Sequence, residues 1–244
     1  MSQLLRILYI SRKDVESYYS KPPLITWGLL FPAVLILAVY VKDPETYLDV
    51  APGIIAMTLL FGCTSMAAIV ITFEKRCGTF QRLLLAPVTY RTIMLGKVTS
   101  AAAYGLATSL VLTLGLTLLL GMPLVNPLAF GAGLFLGAAT FSLLGLIASV
   151  MVREVFEAMT LMNFFRFPIL FVSGVFIPLT QMPGWIRPLA FASPLTYVVE
   201  LLRFGVSGRS FFGGFWLPLS AATGFAVLGW FVAGLVFRHC VNRV

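Results

Sequence analysis

Arg166 is the one charge set deep within an apolar run of this chain. Such a charge costs about 3 kcal/mol or more in a bilayer and faces a bundle interior or water. Arg166 therefore either lines a cavity or, if its span begins nearer Asn163, snorkels to the inner interface. Other reactive groups are sparse. His239 is the only histidine and stands beside Arg238 near the end of the sequence. Cys63, Cys77 and Cys240 have no paired spacing, so they imply neither a disulfide framework nor a metal site. No His-Glu-x-x-His and no Gly-x-Ser-x-Gly occurs. Gly96-Lys97 is followed by Val98, and Arg91 stands where a phosphate loop needs its first glycine. No catalytic residue and no metal site is predicted, and the chain has no means of its own to hydrolyse ATP.

The elements that must position these residues are membrane spans. Hydrophobic residues make up 59% of the 244 and charged ones 11%, against about 25% charged in soluble domains. Mean hydropathy is +0.98. Apolar runs of about 20 residues, enough for a core of about 30 Å, recur throughout. Six spans are predicted, at about 24–41, 50–73, 98–120, 128–152, 157–177 and 214–237. The fold class is an all-α membrane protein, a single transmembrane domain over 1–244. The net charge of +8 comes without the aromatic-basic platform of a nucleic-acid binder and reads as loop bias. Twelve Lys and Arg fall in one set of loops and four in the other, Arg166 aside. The richer set marks the cytoplasmic side, which places both termini there.

Three segments stand apart from the spans. Residues 1–21 read as an amphipathic interface helix, with Leu4, Leu8, Ser11, Val15 and Tyr18 on one face and Arg6, Lys13 and Glu16 on another. Residues 74–97 are basic and amphipathic, holding Lys75, Arg76, Arg82, Arg91 and Lys97. A short helix there offers Leu83, Leu84 and Leu85 to a partner protein. Residues 178–213 are too Pro-rich for a simple span and too apolar for a solvated loop. A pair of short re-entrant helices in the outer leaflet fits, as does a loop lying on the interface. Gly133 and Gly137 permit close helix approach, either to a second copy or within the chain. Spans one to four and span six hold no charged residue, which disfavours gradient-coupled carriage. Energy must then enter through a partner.

Residues 74–97 and 167–203 together resemble the ABC type-2 transporter permeases, the membrane subunits of bacterial exporters of drugs, polysaccharides and lipids. The first match is Glu74-Lys75-Arg76-x-Gly78-Thr79-x-x-Arg82-Leu83-Leu84-x-x-Pro87-Val88, closing on Gly96-Lys97. The second runs from Phe167 through Ser173-Gly174-Val175-Phe176-Ile177-Pro178 to Pro183-Gly184-Trp185, then Ser193-Pro194-Leu195-Thr196-Tyr197 and Glu200-Leu201-Leu202-Arg203. The resemblance covers essentially the whole chain. It implies a bacterial inner-membrane permease moving a hydrophobic, amphiphilic or lipid-linked substrate outward. Two permease chains, alike or different, would pair above two ATP-binding subunits, which would hold the ATP and magnesium; this chain would need no cofactor. A membrane scaffold without substrate passage is the alternative, and a gradient-driven carrier a weaker one. The loop helix would sit in a groove of the ATPase, with Leu83, Leu84 and Pro87 in contact. Glu74, Arg76 and Arg82 would lie at the rim or against the N-terminal helix, with Gly78, Thr79 and Lys97 completing the motif. The outer residues Trp185, Pro194, Tyr197, Glu200 and Arg203 would cap the substrate path. Ser173, Gly174 and Pro178 would mark a bend, and Phe176 would narrow the exit.

Overall fold

The computed structural model describes residues 3–19, 22–44, 46–85, 88–152 and 154–241. Lys21, Arg153 and Arg243, counted above among the Lys and Arg that orient the chain, lie outside them. The described residues form helices, turns and loops, with no strand. In chain order the helices are α1 (Gln3–Asp14), α2 (Pro22–Lys42), α3 (Tyr47–Arg76), α4 (Thr79–Leu85), α5 (Tyr90–Leu120) and α6 (Pro127–Met151). They continue as α7 (Val155–Val172), α8 (Arg187–Phe191), α9 (Pro194–Ser207) and α10 (Trp216–Val241). A π-helical turn, Val15–Tyr19, extends α1.

Each predicted span coincides with a helix. Five of them, α3, α5, α6, α7 and α10, have the length and apolarity to cross a bilayer. In α2 the described apolar stretch is the shorter Gly28–Lys42. The fifth span ends at Val172, not at Ile177, because Gly174 takes φ +81° and turns the chain. Four threonine hydroxyls inside the spans are satisfied locally: Thr58, Thr72, Thr113 and Thr140 each donate to the carbonyl four residues back. This lets polar side chains sit in an apolar bundle without partners from elsewhere.

The centre of the bundle is α3, packed against α5, α6, α7 and α9. Its residues from Ala51 to Leu60 are all buried. Small residues let neighbours close on it. A Cβ at Gly105 of α5 would stand 2.1 Å from the Cys63 sulfur, and one at Gly145 of α6 would stand 2.6 Å from the Thr64 carbonyl oxygen. Cys63 is fully buried there, the small packing residue its apolar setting predicts. Gly133 and Gly137 face Leu201, Leu202, Val198 and Leu59. They serve packing within the chain, against α9 and α3, and this decides between the two readings of that motif.

The segment 178–213 holds a 3-10 turn at Leu179–Gln181, then α8 and α9. The 14 residues of α9 give about 21 Å of helix, short of a bilayer crossing. Residues Leu195 to Leu202 are all buried. So α9 is no surface helix but part of the core, against α6, α3 and α10.

Candidate functional site

At the basic end of the bundle, three separate stretches of sequence bring four charges together. Asp14 ends α1, Glu74 lies in the last turn of α3, and Lys97 lies two turns into α5. All three side chains are buried, at 0%, 1% and 1% exposure. The Lys97 Nζ lies 2.9 and 3.0 Å from the two Asp14 oxygens and 2.6 Å from Glu74 Oε2. Lys13, half exposed, pairs with Glu74 Oε1 and stands 3.1 Å from Asp14. Ser100 donates to Asp14 at 3.2 Å. Two cations thus balance two carboxylates, the condition under which buried charges are tolerated. Burial lowers the Lys13 ammonium pKa, and Glu74 and Asp14 more than reverse this, leaving it above the ordinary lysine value. Beside the cluster Ser11 donates to the Gly96 carbonyl at 3.0 Å. A Cβ at Gly96 would stand 2.7 Å from Ile10 Cγ2, so glycine is what lets α1 lie flat on α5.

This geometry corrects the expected faces of the N-terminal helix. Ile10, Ser11 and Asp14 point inward, with Val15 and Tyr18 half-buried, whereas Leu8 is exposed. The side chain of Leu4 lies outside the described residues. Of the two places expected for Glu74, it takes the one against the N-terminal helix: Glu74 and Lys97 are buried and bind α1 to the bundle.

The helix α4 follows Gly78, whose φ of +70° turns the chain out of α3. Phe80 is buried edge-on against Phe237 of α10, ring centroids 5.9 Å apart. Leu83 sits on the same face and is half-buried with Val88 and Tyr90. Arg76, Thr79, Gln81, Arg82 and Leu85 are exposed, Leu85 at 86%. The side chain of Leu84, and Pro87 altogether, lie outside the described residues. Lys75 donates to the Ser149 carbonyl at 2.7 Å, placing a cation at the C-terminus of α6 where the helix dipole favours it.

At the opposite end the predicted outer residues converge. Ser173 and Ser193 share a hydrogen bond of 2.7 Å. Glu200 is fully buried, pairs with Arg203, and accepts from the Phe211 amide at 2.6 Å and the Ser210 hydroxyl at 3.1 Å. Arg203 also donates to the Gly174 carbonyl at 3.0 Å. Tyr197 donates to the Phe191 carbonyl at 2.8 Å and stacks on Phe212. Pro194 starts α9 in its first turn, where its missing N–H costs nothing, and Pro178 precedes the 3-10 turn. Trp185 is 77% exposed, apart from this group, and Phe176 is half-buried against Phe171.

Between the two ends lies Arg166, buried at 2% exposure on α7. It does not snorkel. Nη1 donates to Asn163 Oδ1 at 3.2 Å, and the guanidinium lies 5.0 Å from the Phe61 ring centre.

The family model for the ABC-2 type transporter matches residues 6–206, a stretch that takes in α1, the four-charge cluster, α4, Arg166 and α9. This chain belongs to the ABC-2 type transporter family. The chain is thus a permease subunit of such a transporter, a multi-pass membrane protein, and the family implies an ABC ATPase as its partner. Among similar proteins is the inner membrane transport permease YadH of Escherichia coli, 28% identical over 192 residues, covering 77% of this chain and 75% of that one. The putative transport permease ycf38 of Cyanophora paradoxa is 28% identical over 195 residues, 76% of this chain and 66% of its own. The probable multidrug ABC transporter permease YbhR of Escherichia coli is 24% identical over 156 residues, 63% and 42%. The residue of this permease that sequence reasoning missed is Asp14. Its signal was there: a lone carboxylate on the helical face of Ile7, Ile10, Ser11 and Tyr18.

Proposed function

We propose that this permease is the transmembrane subunit of an ATP-driven exporter in a bacterial inner membrane, with both termini cytoplasmic. The whole chain acts as one permease domain. It moves a hydrophobic, amphiphilic or lipid-linked substrate outward, paired with a second permease chain above two ATP-binding subunits that hold ATP and magnesium. The observation that carries this reading is the joint between α4 and the bundle. The outward face of α4, with Gln81, Arg82 and Leu85, is free for docking, an apolar contact with a charged rim. Its inward face is anchored through Phe80 on α10. One turn of chain away, Glu74 ties α3 to α1 and α5. A push on α4 therefore reaches four helices through contacts of rigid elements. The names of YadH as an inner membrane permease and YbhR as a multidrug transporter support the location and the class of cargo.

The test is transport by the co-purified permease–ATPase complex in vesicles. Accumulation of an amphiphilic cargo in inside-out vesicles on adding ATP is expected, and Leu85→Asp with Arg82→Glu should lower it at least tenfold while the protein still inserts. Hydrolysis without cargo movement would point to a scaffold. Transport with no ATPase subunit present would overturn the reading in favour of a gradient-driven carrier.

A further inference from the structure

A cavity of about 290 Å³ lies between α3, α6 and α7, lined by Leu60, Thr64, Leu144, Ile147, Met162 and Ile169 and by Arg166. Its volume is at the lower edge of ligand pockets, which begin near 300 Å³. The lining includes the exposed Met151 and Phe165, so it is reached from the side of the bundle. The walls are apolar except at one place. Arg166 Nε and Nη2 are buried and have no acceptor among the described residues. The only hydrogen bond of the guanidinium there is the one from Nη1 to Asn163. The Thr64 hydroxyl already donates to the Leu60 carbonyl. The site thus offers a planar pair of donors and asks for one anion, the geometry that carboxylates and phosphates match.

The chain holds no such anion at that depth. Its nine acids are Asp14, Glu16, Asp43, Glu45, Asp49, Glu74, Glu154, Glu157 and Glu200. None stands in the middle of α3, α6 or α7, and Glu200 is taken by Arg203. An identical second copy is equally without one. We infer that the cavity binds an anionic amphiphile, with its carboxylate or phosphate on Arg166 and its hydrocarbon between α3, α6 and α7. This deepens the exporter reading, on which its meaning as a cargo site rests, by naming a charge for the cargo.

The experiment is displacement of radiolabelled oleate from the permease–ATPase complex in phosphatidylcholine nanodiscs without ATP. Oleate and oleoyl lysophosphatidate should compete at least tenfold better than oleyl alcohol, and inorganic phosphate alone should not compete. Arg166→Gln should abolish the tenfold preference, and Arg166→Lys should keep part of it. Leu144→Trp, which fills the cavity and keeps the arginine, should weaken oleate at least tenfold, so it decides the matter if Arg166→Gln does not fold. An unchanged preference in Arg166→Gln, unchanged oleate affinity in Leu144→Trp, or competition by phosphate alone would each overturn the inference. Because no ATP is present, a failure here leaves ATP-driven transport standing, and binding survives if transport fails.

Discussion

Both ends of the bundle bury carboxylates, and they use them differently. At the basic end Asp14 is held by Lys97, 83 positions away in sequence, as well as by its neighbour Lys13, and Glu74 by Lys13 and Lys97 from two other helices. At the opposite end Glu200 pairs with Arg203, three residues on in the same helix, and spends its remaining capacity on the Phe211 amide and Ser210. The first arrangement joins side chain to side chain, so the helices can part with their backbone hydrogen bonds intact. The second holds the backbone of the loop after α9, so parting it would unmake the loop. The basic end is a joint between rigid bodies, and the far end is a fixed shape.

Lys97→Met is the largest test of that contrast. It removes the cation that touches both buried carboxylates, and leaving a buried charge unpaired costs about 3–5 kcal/mol. Thermal unfolding in detergent should show the loss, and limited proteolysis should show α1 released while the far end stays protected. Glu200→Gln should cost about 1.5–3 kcal/mol, the range for hydrogen bonds to charged groups. Its effect should be confined to faster amide exchange at 208–213, with α1 still docked. Lys13→Met should be milder, about 1 kcal/mol or less, because Lys13 is half exposed and Lys97 still serves Glu74. The pH dependence follows from the same residue. The folded pKa of Lys13 is raised above the ordinary 10.5, so its contribution is complete below that value and is lost only as pH rises through the raised one. Docking of α1, followed by proteolysis, should stay flat through mildly alkaline pH; early loss would assign the joint to another group. The smallest effect belongs to Gly131→Ala, where nothing lies within 4 Å of the new methyl. It should be neutral or stabilise by about 1 kcal/mol at most, as measured by unfolding, and the contrast with Gly137→Ala measures how tightly α9 is held.

The spans were legible because an apolar run of bilayer length has few other uses. The loops were legible through their charge. What the sequence could not show was closure in space. Nothing in the order of residues says that Asp14, Glu74 and Lys97 meet, since each sits in a stretch that reads as a solvated basic loop or helix. The three leucines of α4 divide for a simpler reason: Leu83 is half-buried, Leu85 is exposed, and the side chain of Leu84 lies outside the described residues. Consecutive residues on a helix point about 100° apart, so a run of leucines names no face. The spacing of Phe80 and Leu83 did mark the inward side. Arg166 was visible as an anomaly, but only the bundle could show that Asn163 and Phe61 leave two of its nitrogens bare.

The pair on α9 bears on how the chain is built into the membrane. A 14-residue helix is too short to be threaded as a span and has to find its place together with its loops. Glu200 and Arg203 neighbour each other as soon as α9 is helical, so the segment arrives as a neutral unit before any other helix is present. At the other end only Lys13 and Asp14 are neighbours within one helix; Glu74 and Lys97 are matched only after α1, α3 and α5 stand together. Insertion is therefore expected to tolerate α9 first and to lock the N-terminal helix last.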